Sequence, residues 1–220
     1  MAWDPSWDSV FQNNAWGKYP SESLIRFIAK NYYSRSRKDV KILEIGCGPG
    51  ANVWYMSREG FSAYGIDGSA TAIGQARKRM AGDNLSADLR VGDATRLPYE
   101  DGTFDAAIDV ECLYSNPEDG AKKMLAEASR VLKKDGMLFS QTFAEDMYAG
   151  SSNKKTGDLE YSAISDGPLA KQGYARLTDK ASMARLYGSF FKILSADKMT
   201  YTVNNGGVKI SEWIIICAKR

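Results

Sequence analysis

Residues 42–51 read Ile-Leu-Glu-Ile-Gly-Cys-Gly-Pro-Gly-Ala, and this stretch decides the fold. The apolar run 40–46 ends in glycines and predicts a buried strand, and residues 52–60 predict a short helix directly after it. Glycines in such a turn let the backbone approach a ligand closely, and the N-terminus of the following helix favours anionic groups. Gly46, Gly48 and Ala51 also satisfy the loose dinucleotide fingerprint. The sequence therefore predicts a cofactor turn, and a ligand-free strand-to-helix connection is the alternative.

Strands and helices alternate on both sides of this turn. Further strands are predicted at 62–67, 87–93, 104–110 and 136–143, and helices at 21–33, 69–80, 121–132 and 178–187. Such alternation predicts a parallel sheet with helices on both faces. Two last strands, 191–203 and 208–219, are joined by Asn-Asn-Gly-Gly at 204–207, which is a strong hairpin signal. The fold class is therefore α/β with an antiparallel C-terminal hairpin.

The chain of 220 residues is interpreted as a single domain in four parts. These are an N-terminal arm and helix (1–39), a cofactor-binding core (40–143), an insertion (144–177) and a C-terminal helix and hairpin (178–220). The insertion is rich in Gly, Ser, Lys and Asp and contains Tyr148, Tyr161 and Tyr174. A structureless stretch of this length inside a domain is often a binding loop, so we expect a lid over the substrate.

Composition removes several kinds of chemistry. The chain has no histidine, which excludes catalysis by Ser-His-Asp or Cys-His groups, and no metal site is expected. The net charge of +2 is too balanced to indicate nucleic acid or a membrane surface as partner. Cys47, Cys112 and Cys217 form no close pair and predict reduced thiols in a cytoplasmic protein. No apolar run is long enough to span a bilayer.

Acidic residues follow the predicted strands at positions that suit an adenosine ligand. Asp67 lies 21 residues after Gly46 and can accept both ribose hydroxyls, a feature that dehydrogenases share. Asp93 ends the third predicted strand and suits the adenine amino group, which dehydrogenases do not need at this place. Glu44 adds an acid at the end of the first strand.

Five motifs in order resemble those of the class I S-adenosylmethionine-dependent methyltransferases. They are the stretch 44–50, Asp67, Gly92-Asp93-Ala94, Phe104-Asp105 and residues 132–136. The resemblance implies a Rossmann-like, seven-stranded mixed sheet, S-adenosylmethionine as cofactor and S-adenosylhomocysteine as product. It implies that glycines of the turn contact the methionine part, that Asp67 binds the ribose, and that Asp93 and Ala94 lie beside the adenine. The cofactor-binding set from the core is Glu44, Gly46, Cys47, Gly48, Asp67, Gly68, Asp93, Ala94 and Asp109.

Several residues outside these motifs are candidates with two interpretations each. Trp16 and Tyr19 either cap the cofactor or only pack an N-terminal arm. Glu111 follows the fourth strand and is either a general base for the acceptor or a surface carboxylate, and Tyr114 either lines the same pocket or does not. Arg176 is expected to be a solvated arginine, with recognition of an acidic substrate group as the alternative.

The expected function is methyl transfer to an N or O atom of a small-molecule acceptor, mainly by positioning. A sugar, a sugar nucleotide or a secondary metabolite is favoured by elimination, because no basic stripe supports nucleic acid. Two alternatives stay open: an NAD-linked oxidoreductase that uses the same glycine turn, and a non-catalytic protein that binds the cofactor. The sequence also leaves a homodimer open.

Overall fold

The strand that precedes the glycine turn, β1 (Lys41–Ile45), lies in the middle of the main sheet. The structure is a computed structural model that describes residues 3–170 and 172–220. β1 pairs in parallel with β2 (Ser62–Asp67) and with β4 (Phe104–Val110). Its residues after Lys41 are buried, as are those of β4 before Val110. A strand covered on both faces needs mainly apolar residues, and the two segments are apolar apart from Lys41 at the start of β1 and three buried acids, Glu44, Asp105 and Asp109.

The main sheet has seven strands in the order β3-β2-β1-β4-β5-β10-β9. β3 (Asp88–Val91) and β5 (Leu132–Phe143) extend the parallel part, and β9 (Phe191–Val203) and β10 (Val208–Lys219) form the antiparallel hairpin. This topology confirms the predicted Rossmann-like fold class. The order reverses between β1 and β4, and open α/β sheets bind ligands at the carboxyl ends of the strands at such a point.

Helices cover both faces of the sheet. One face packs against α2 (Glu22–Tyr32), α3 (Ala51–Arg58) and α4 (Ala70–Gly82), and the other against α5 (Glu118–Val131) and α6 (Lys180–Tyr187). The Ser21 and Ser69 side chains accept hydrogen bonds from the first turns of α2 and α4, as expected for N-caps. None of the helices in the described ranges is long and apolar enough to cross a membrane.

One helix was not predicted. α1 (Ser6–Asn13) has a single buried residue, Phe11, and no side-chain cap. It is held by α4, since the Gln75 side chain donates to the Phe11 carbonyl oxygen at 2.9 Å. A helix this short is marginal by itself and depends on packing against its neighbours. Local sequence therefore gave a weak signal for it.

The boundary between α5 and β5 differs from the prediction. The helix ends at Val131, one residue before the predicted end, and β5 begins at Leu132 rather than at the predicted residue 136. Leu132 is fully buried and pairs with Phe104 of β4. Burial of this side chain in the sheet outweighs one further turn of helix.

The insertion 144–177 is not structureless, contrary to the prediction. It contains β6 (Lys154–Gly157), β7 (Glu160–Ser162) and β8 (Ala175–Arg176), which form a separate three-stranded sheet. Apolar side chains of the insertion pack against Tyr114, Phe143 and Ile210 of the main domain, and together they form one buried cluster. Its two ends are adjacent, because the Thr178 amide donates to the Phe143 carbonyl oxygen at 2.9 Å. We call residues 144–177 the lid.

Candidate functional site

The glycine turn has a backbone that only glycine adopts without strain. Gly46 has a φ of 67°, and a Cβ at this position would collide with the Cys112 thiol. Its amide donates to the Ile66 carbonyl oxygen at 2.8 Å, which fixes the turn on β2. Gly48 has a φ of 48° and donates its amide to Asp67. Substitutions at either glycine would distort the floor of the cavity described below.

Asp67 joins the turn to the next helix. One carboxylate oxygen accepts from the Gly48 amide at 2.8 Å, and the other accepts from the Ser69 amide at 2.8 Å. Each oxygen of a carboxylate has two lone pairs, so an acceptor position stays free on each. Burial raises the pKa of this carboxyl, and the two amides oppose that shift. The arrangement fits a pair of neighbouring hydroxyl groups, such as those of a ribose.

Glu44 holds a second set of acceptor positions. Its Oε1 accepts from the Asn52 side chain at 2.5 Å, and its buried Oε2 has no partner. Burial, together with the negative charges of Asp67 and Asp109, raises the pKa of Glu44 to about 8. A buried carboxyl oxygen without a donor is costly, so the site fits a ligand that brings a donor to it. Sequence reasoning missed Asn52, which looks like an ordinary residue of the first helical turn.

Asp93 and Ala94 follow the end of β3. The Asp93 carboxylate accepts from the Thr95 amide at 2.9 Å, and the backbone before it is tied to β2 by a bond from the Gly92 amide to the Asp67 carbonyl oxygen. A Cβ on Gly92 would lie 2.8 Å from the Ile66 side chain. This end of the site is thus built by close packing of β3 on β2.

These groups surround one cavity of about 350 Å³ at the switch point of the sheet. Most residues that were predicted as site residues line it, namely Trp16, Tyr19, Glu44, Gly46, Cys47, Gly48, Asp67, Gly68, Asp93, Ala94, Glu111 and Tyr114. The volume is in the range of small-molecule and cofactor sites. Their individual roles stay predictions.

Asp109 does not line this cavity. Its assignment to the cofactor-binding set, which the resemblance implied, is therefore corrected. Its carboxylate is buried and accepts from the amides of Cys112 at 3.1 Å and Leu113 at 3.0 Å, and from the Ser140 hydroxyl. Burial raises its pKa to about 6. Asp109 is therefore a positioning residue for the turn that follows β4.

The N-terminal segment covers one side of the cavity with aromatic rings. The ring centroids of Trp16 and Phe11 lie 5.1 Å apart, and the lining also includes Trp3 and Trp7. The Asp8 carboxylate accepts from the Thr71 amide at 3.1 Å and from the Ser69 hydroxyl, which fixes α1 on the first turn of α4. Sequence reasoning missed these contacts because it assigned no helix there.

At the opposite end of the cavity, Glu111 follows β4 with a φ of 56°, which is unusual for a residue with a side chain. Its amide donates to the Gln141 carbonyl oxygen of β5 at 2.9 Å. Its carboxyl hydrogen-bonds with that of Glu212 in β10 and has a pKa well above its ordinary value, mainly through burial. Glu111 is thus not a plain surface carboxylate. Neither Gln141 nor Glu212 had a local signal in the sequence.

The lid reaches the cavity at this end. Tyr114 is buried, and its hydroxyl donates to the Gln172 side-chain oxygen. In the described part of the lid, Gln172 alone lines the cavity. The three tyrosines of the lid, Tyr148, Tyr161 and Tyr174, lie outside the lining of the cavity.

Arg176 is buried, so the expectation of a solvated arginine was wrong. Its guanidinium donates to the carbonyl oxygens of Leu113 at 3.2 Å and Asn116 at 3.4 Å. Its positive charge also acts on Asp109 and lowers the pKa of that carboxyl. It lies outside the lining of the cavity and holds the lid to the turn after β4.

The charged side chains among the described residues that line the cavity are all acidic. The described residues that line it include five carboxyl groups and neither lysine nor arginine; the acids are Asp4, Glu44, Asp67, Asp93 and Glu111. Within the same described ranges, no group of three or more histidine, cysteine or acidic residues is arranged to hold a metal ion. An anionic wall of this kind favours a cationic ligand or one rich in hydrogen-bond donors.

The fold and the cavity define an α/β protein with a site for an adenosine-type cofactor at the switch point of its sheet. Residues 42–136 match the family model described as "Methyltransferase domain". Residues 42–136 thus resemble a methyltransferase domain of the class I S-adenosylmethionine-dependent type, as the motifs indicated. S-adenosylmethionine is the cofactor of this class, and the unpartnered Glu44 oxygen, the free positions on Asp67 and the glycine turn fit it.

Known proteins are similar to this chain in the sequence of its core or in its fold. Norajmaline N-methyltransferase of Rauvolfia serpentina is 35% identical over 97 residues, which cover 42% of this chain and 32% of that protein. A ubiquinone biosynthesis O-methyltransferase of Bartonella tribocorum is 32% identical over 104 residues, or 47% of this chain and 41% of that protein. The chain thus spans less than half the length of these two relatives.

A solved structure extends the likeness to nearly the whole chain. The SAM-dependent methyltransferase from Methanosarcina mazei has a TM-score of 0.72 and 23% identity, and the match covers 87% of this chain and 96% of that one. At this identity the likeness shows the fold. The shared fold includes the part of the chain outside residues 42–136.

The raised pKa of Glu44 predicts how stability depends on pH. The folded chain holds the Glu44 proton up to about pH 8, whereas the ordinary value is 4.5. The unfolded state binds fewer protons between these values, so the free energy of unfolding should fall as the pH rises from about 4.5 through about 8. We expect the melting temperature of the ligand-free protein to fall over this range, and Glu44→Gln to flatten the slope. The exposed Glu100→Gln is the control and should keep the pH dependence of the melting temperature. An unchanged slope in Glu44→Gln would refute the assignment of this slope to Glu44.

Proposed function

We propose that this protein transfers the methyl group of S-adenosylmethionine to an N or O atom of a small-molecule acceptor. The observation that carries the proposal is the cavity in which Asp67, Glu44 and the glycine turn offer acceptor positions for an adenosine and an amino group. The matched methyltransferase domain supports the same activity. The two sequence relatives named above are an N- and an O-methyltransferase, which supports either kind of acceptor atom here.

The chain's own residues act by holding the cofactor and by orienting it toward the acceptor. S-adenosylmethionine, when bound, supplies a methyl group on a positively charged sulfur. Gly46 and Gly48 allow the cofactor to lie against the backbone, and Asp67 fixes its ribose. The aromatic rings of the N-terminal segment exclude water from one side of the cavity. Alignment of two reacting atoms in this way contributes up to about 7–11 kcal/mol to lowering a barrier, so a chain without histidine needs no further nucleophile.

Cofactor binding is the first test. We expect S-adenosylhomocysteine to raise the melting temperature, because a ligand that binds only the folded state stabilises it by mass action. NAD is the control ligand, since it shares the adenosine half. Calorimetry that shows tighter binding of NAD than of S-adenosylhomocysteine would instead support the oxidoreductase alternative.

Transfer itself is tested by a mass-shift screen of metabolite extracts. The expected result is a compound that gains one methyl group only when both the protein and S-adenosylmethionine are present. Binding of S-adenosylhomocysteine without any such product would support the remaining alternative, a cofactor-binding protein without catalysis.

A further inference from the structure

Three neighbouring strands bring a pair of carboxyl groups together at one end of the cavity, where Glu111 and Gln141 line it and Glu212 lies outside the lining. Glu111 follows β4, Gln141 lies on β5 and Glu212 lies on β10. The Gln141 side-chain nitrogen donates to a Glu212 oxygen at 3.2 Å, and the carboxyl groups of Glu111 and Glu212 hydrogen-bond to each other. Two ionised carboxylates can only accept, so this contact requires one shared proton. We call Glu111, Glu212 and Gln141 the acid pocket.

The acid pocket has acceptor capacity that the protein does not use. The buried Gln141 side chain is 4% exposed and lines the cavity, and its oxygen has no partner in the structure. Glu111 is held beside it in a left-handed backbone conformation, at a φ of 56°. Strained residues persist where the surrounding structure enforces them, and they cluster at functional sites. An unused buried oxygen and a strained acid therefore point to a ligand that supplies N–H donors.

The charges around Glu111 are negative or neutral. The titratable groups that act on it or that it acts on are Asp109, Glu212, Tyr114 and Tyr201. None of the nearby cations of the described residues lines the cavity: Arg176 donates to the turn after β4 through Nε and Nη2 while its Nη1 is buried without a partner, and Lys198 and Lys209 bond Asp146. A carboxylate or phosphate on the acceptor would meet uncompensated acids, whereas an ammonium group would meet complementary charge.

We propose that the acceptor carries a primary or secondary amine, which enters as an ammonium ion and binds Glu111 and Gln141, with Glu212 acting through its contacts to both. The proposal rests on the proposed function and narrows it to N-methylation. It disfavours the sugar nucleotides that were considered from the sequence, since their phosphates would lie in a cavity whose described lining contains no cation.

The acid pocket also accounts for the fate of the proton. The ammonium ion gives one proton to an ionised carboxylate of the pair, which frees the nitrogen lone pair. The carbon–nitrogen bond then forms as the carbon–sulfur bond breaks, and the electron pair of the broken bond stays on sulfur. The products are an N-methylated ammonium ion and the neutral thioether. A buried carboxyl with a raised pKa suits this role of base.

Binding of matched probes tests the proposal without knowledge of the natural acceptor. The protein is loaded with S-adenosylhomocysteine and titrated with phenethyl, indolylethyl and cyclohexylethyl compounds, each as amine, alcohol and carboxylate. We expect the amine of at least one skeleton to bind at least about tenfold more tightly than its alcohol, and each carboxylate to bind most weakly. Calorimetry in two buffers of different ionisation enthalpy should show release of a proton, because an ammonium ion displaces the proton that the pair shares.

Variants of the acid pocket supply the second readout. Glu111→Gln and Glu212→Gln should each lose the preference for amine over alcohol and the proton release, while S-adenosylhomocysteine affinity stays within about twofold. The exposed Glu100→Gln is the matched control and should keep both. Retained binding of S-adenosylhomocysteine also shows that the variants fold.

The outcomes separate this proposal from the one on which it rests. Equal or weaker binding of every amine than of its alcohol would overturn the amine acceptor, and so would a screen product methylated on oxygen and lacking an amine. Failure of the wild-type protein to bind S-adenosylhomocysteine would overturn the proposed function itself.

Discussion

Replacement of Asp67 by alanine should weaken S-adenosylhomocysteine binding by about 1–3 kcal/mol, the scale of hydrogen bonds to a charged acceptor. That loss corresponds to roughly 5- to 150-fold in the dissociation constant. Two effects act together, because the carboxylate holds the amides of Gly48 and Ser69 and leaves acceptor positions for the ribose. Both the ligand contact and the shape of the glycine turn would be lost. Titration calorimetry measures the change.

Asp101→Ala is a suitable control for Asp67→Ala, because Asp101 is exposed and lies in a turn outside the cavity. Asp93→Ala should give a smaller loss than Asp67→Ala, since it acts through the adenine end alone. A folded Asp67→Ala protein with unchanged affinity would show that the ribose role is wrong.

Replacement of most of the lid should abolish turnover of an acceptor found by the screen. The two ends of the lid are adjacent at the Thr178–Phe143 hydrogen bond, so a short Gly-Ser linker can join residues 146 and 176 without moving β5. The deletion uncovers Tyr114 and opens the acceptor end of the cavity to water. S-adenosylhomocysteine affinity should stay within about threefold, a difference under 1 kcal/mol, because in the described part of the lid Gln172 alone lines the cavity.

The control for the lid replacement is Asp166→Ala, an exposed lid residue that bonds Ser151 and is not part of the cavity lining. It should keep both turnover and affinity. A protein without the lid that methylates the acceptor at the parent rate would reduce this segment to a surface insertion.

The sequence predicted the central sheet well because its signals are local. β1 and β4 are short, mainly apolar segments, and Ser21 and Ser69 directly precede the helices they cap. The helix α1 was missed because a partner far away in the sequence, Gln75, stabilises it, and the small sheet of the lid depends on β8, whose Arg176 pairs with Glu160 across the insertion. Such tertiary contacts override weak local preference.

The same distinction applies to the site. The cofactor side is a set of short motifs, so its residues could be gathered around one cavity from the sequence alone. The proposed acceptor side combines Glu111 after β4 with Gln141 of β5 and Glu212 of β10, and strand pairing is not visible in one sequence. Likewise, Arg176 looked solvated because nothing local shows that it is buried between the lid and the turn after β4.

The left-handed backbone at Glu111 sets two kinds of selection against each other. A non-glycine residue in this region costs of the order of 1 kcal/mol or more, and glycine or asparagine would relieve most of it. In a library randomised at position 111 and screened for heat resistance alone, these two residues should be enriched over the parent glutamate. Screening of the same library for methylated product should restore glutamate. Comparison of the residues enriched at position 111 in the two screens would thus measure how much thermal stability the fold loses by keeping glutamate there for activity.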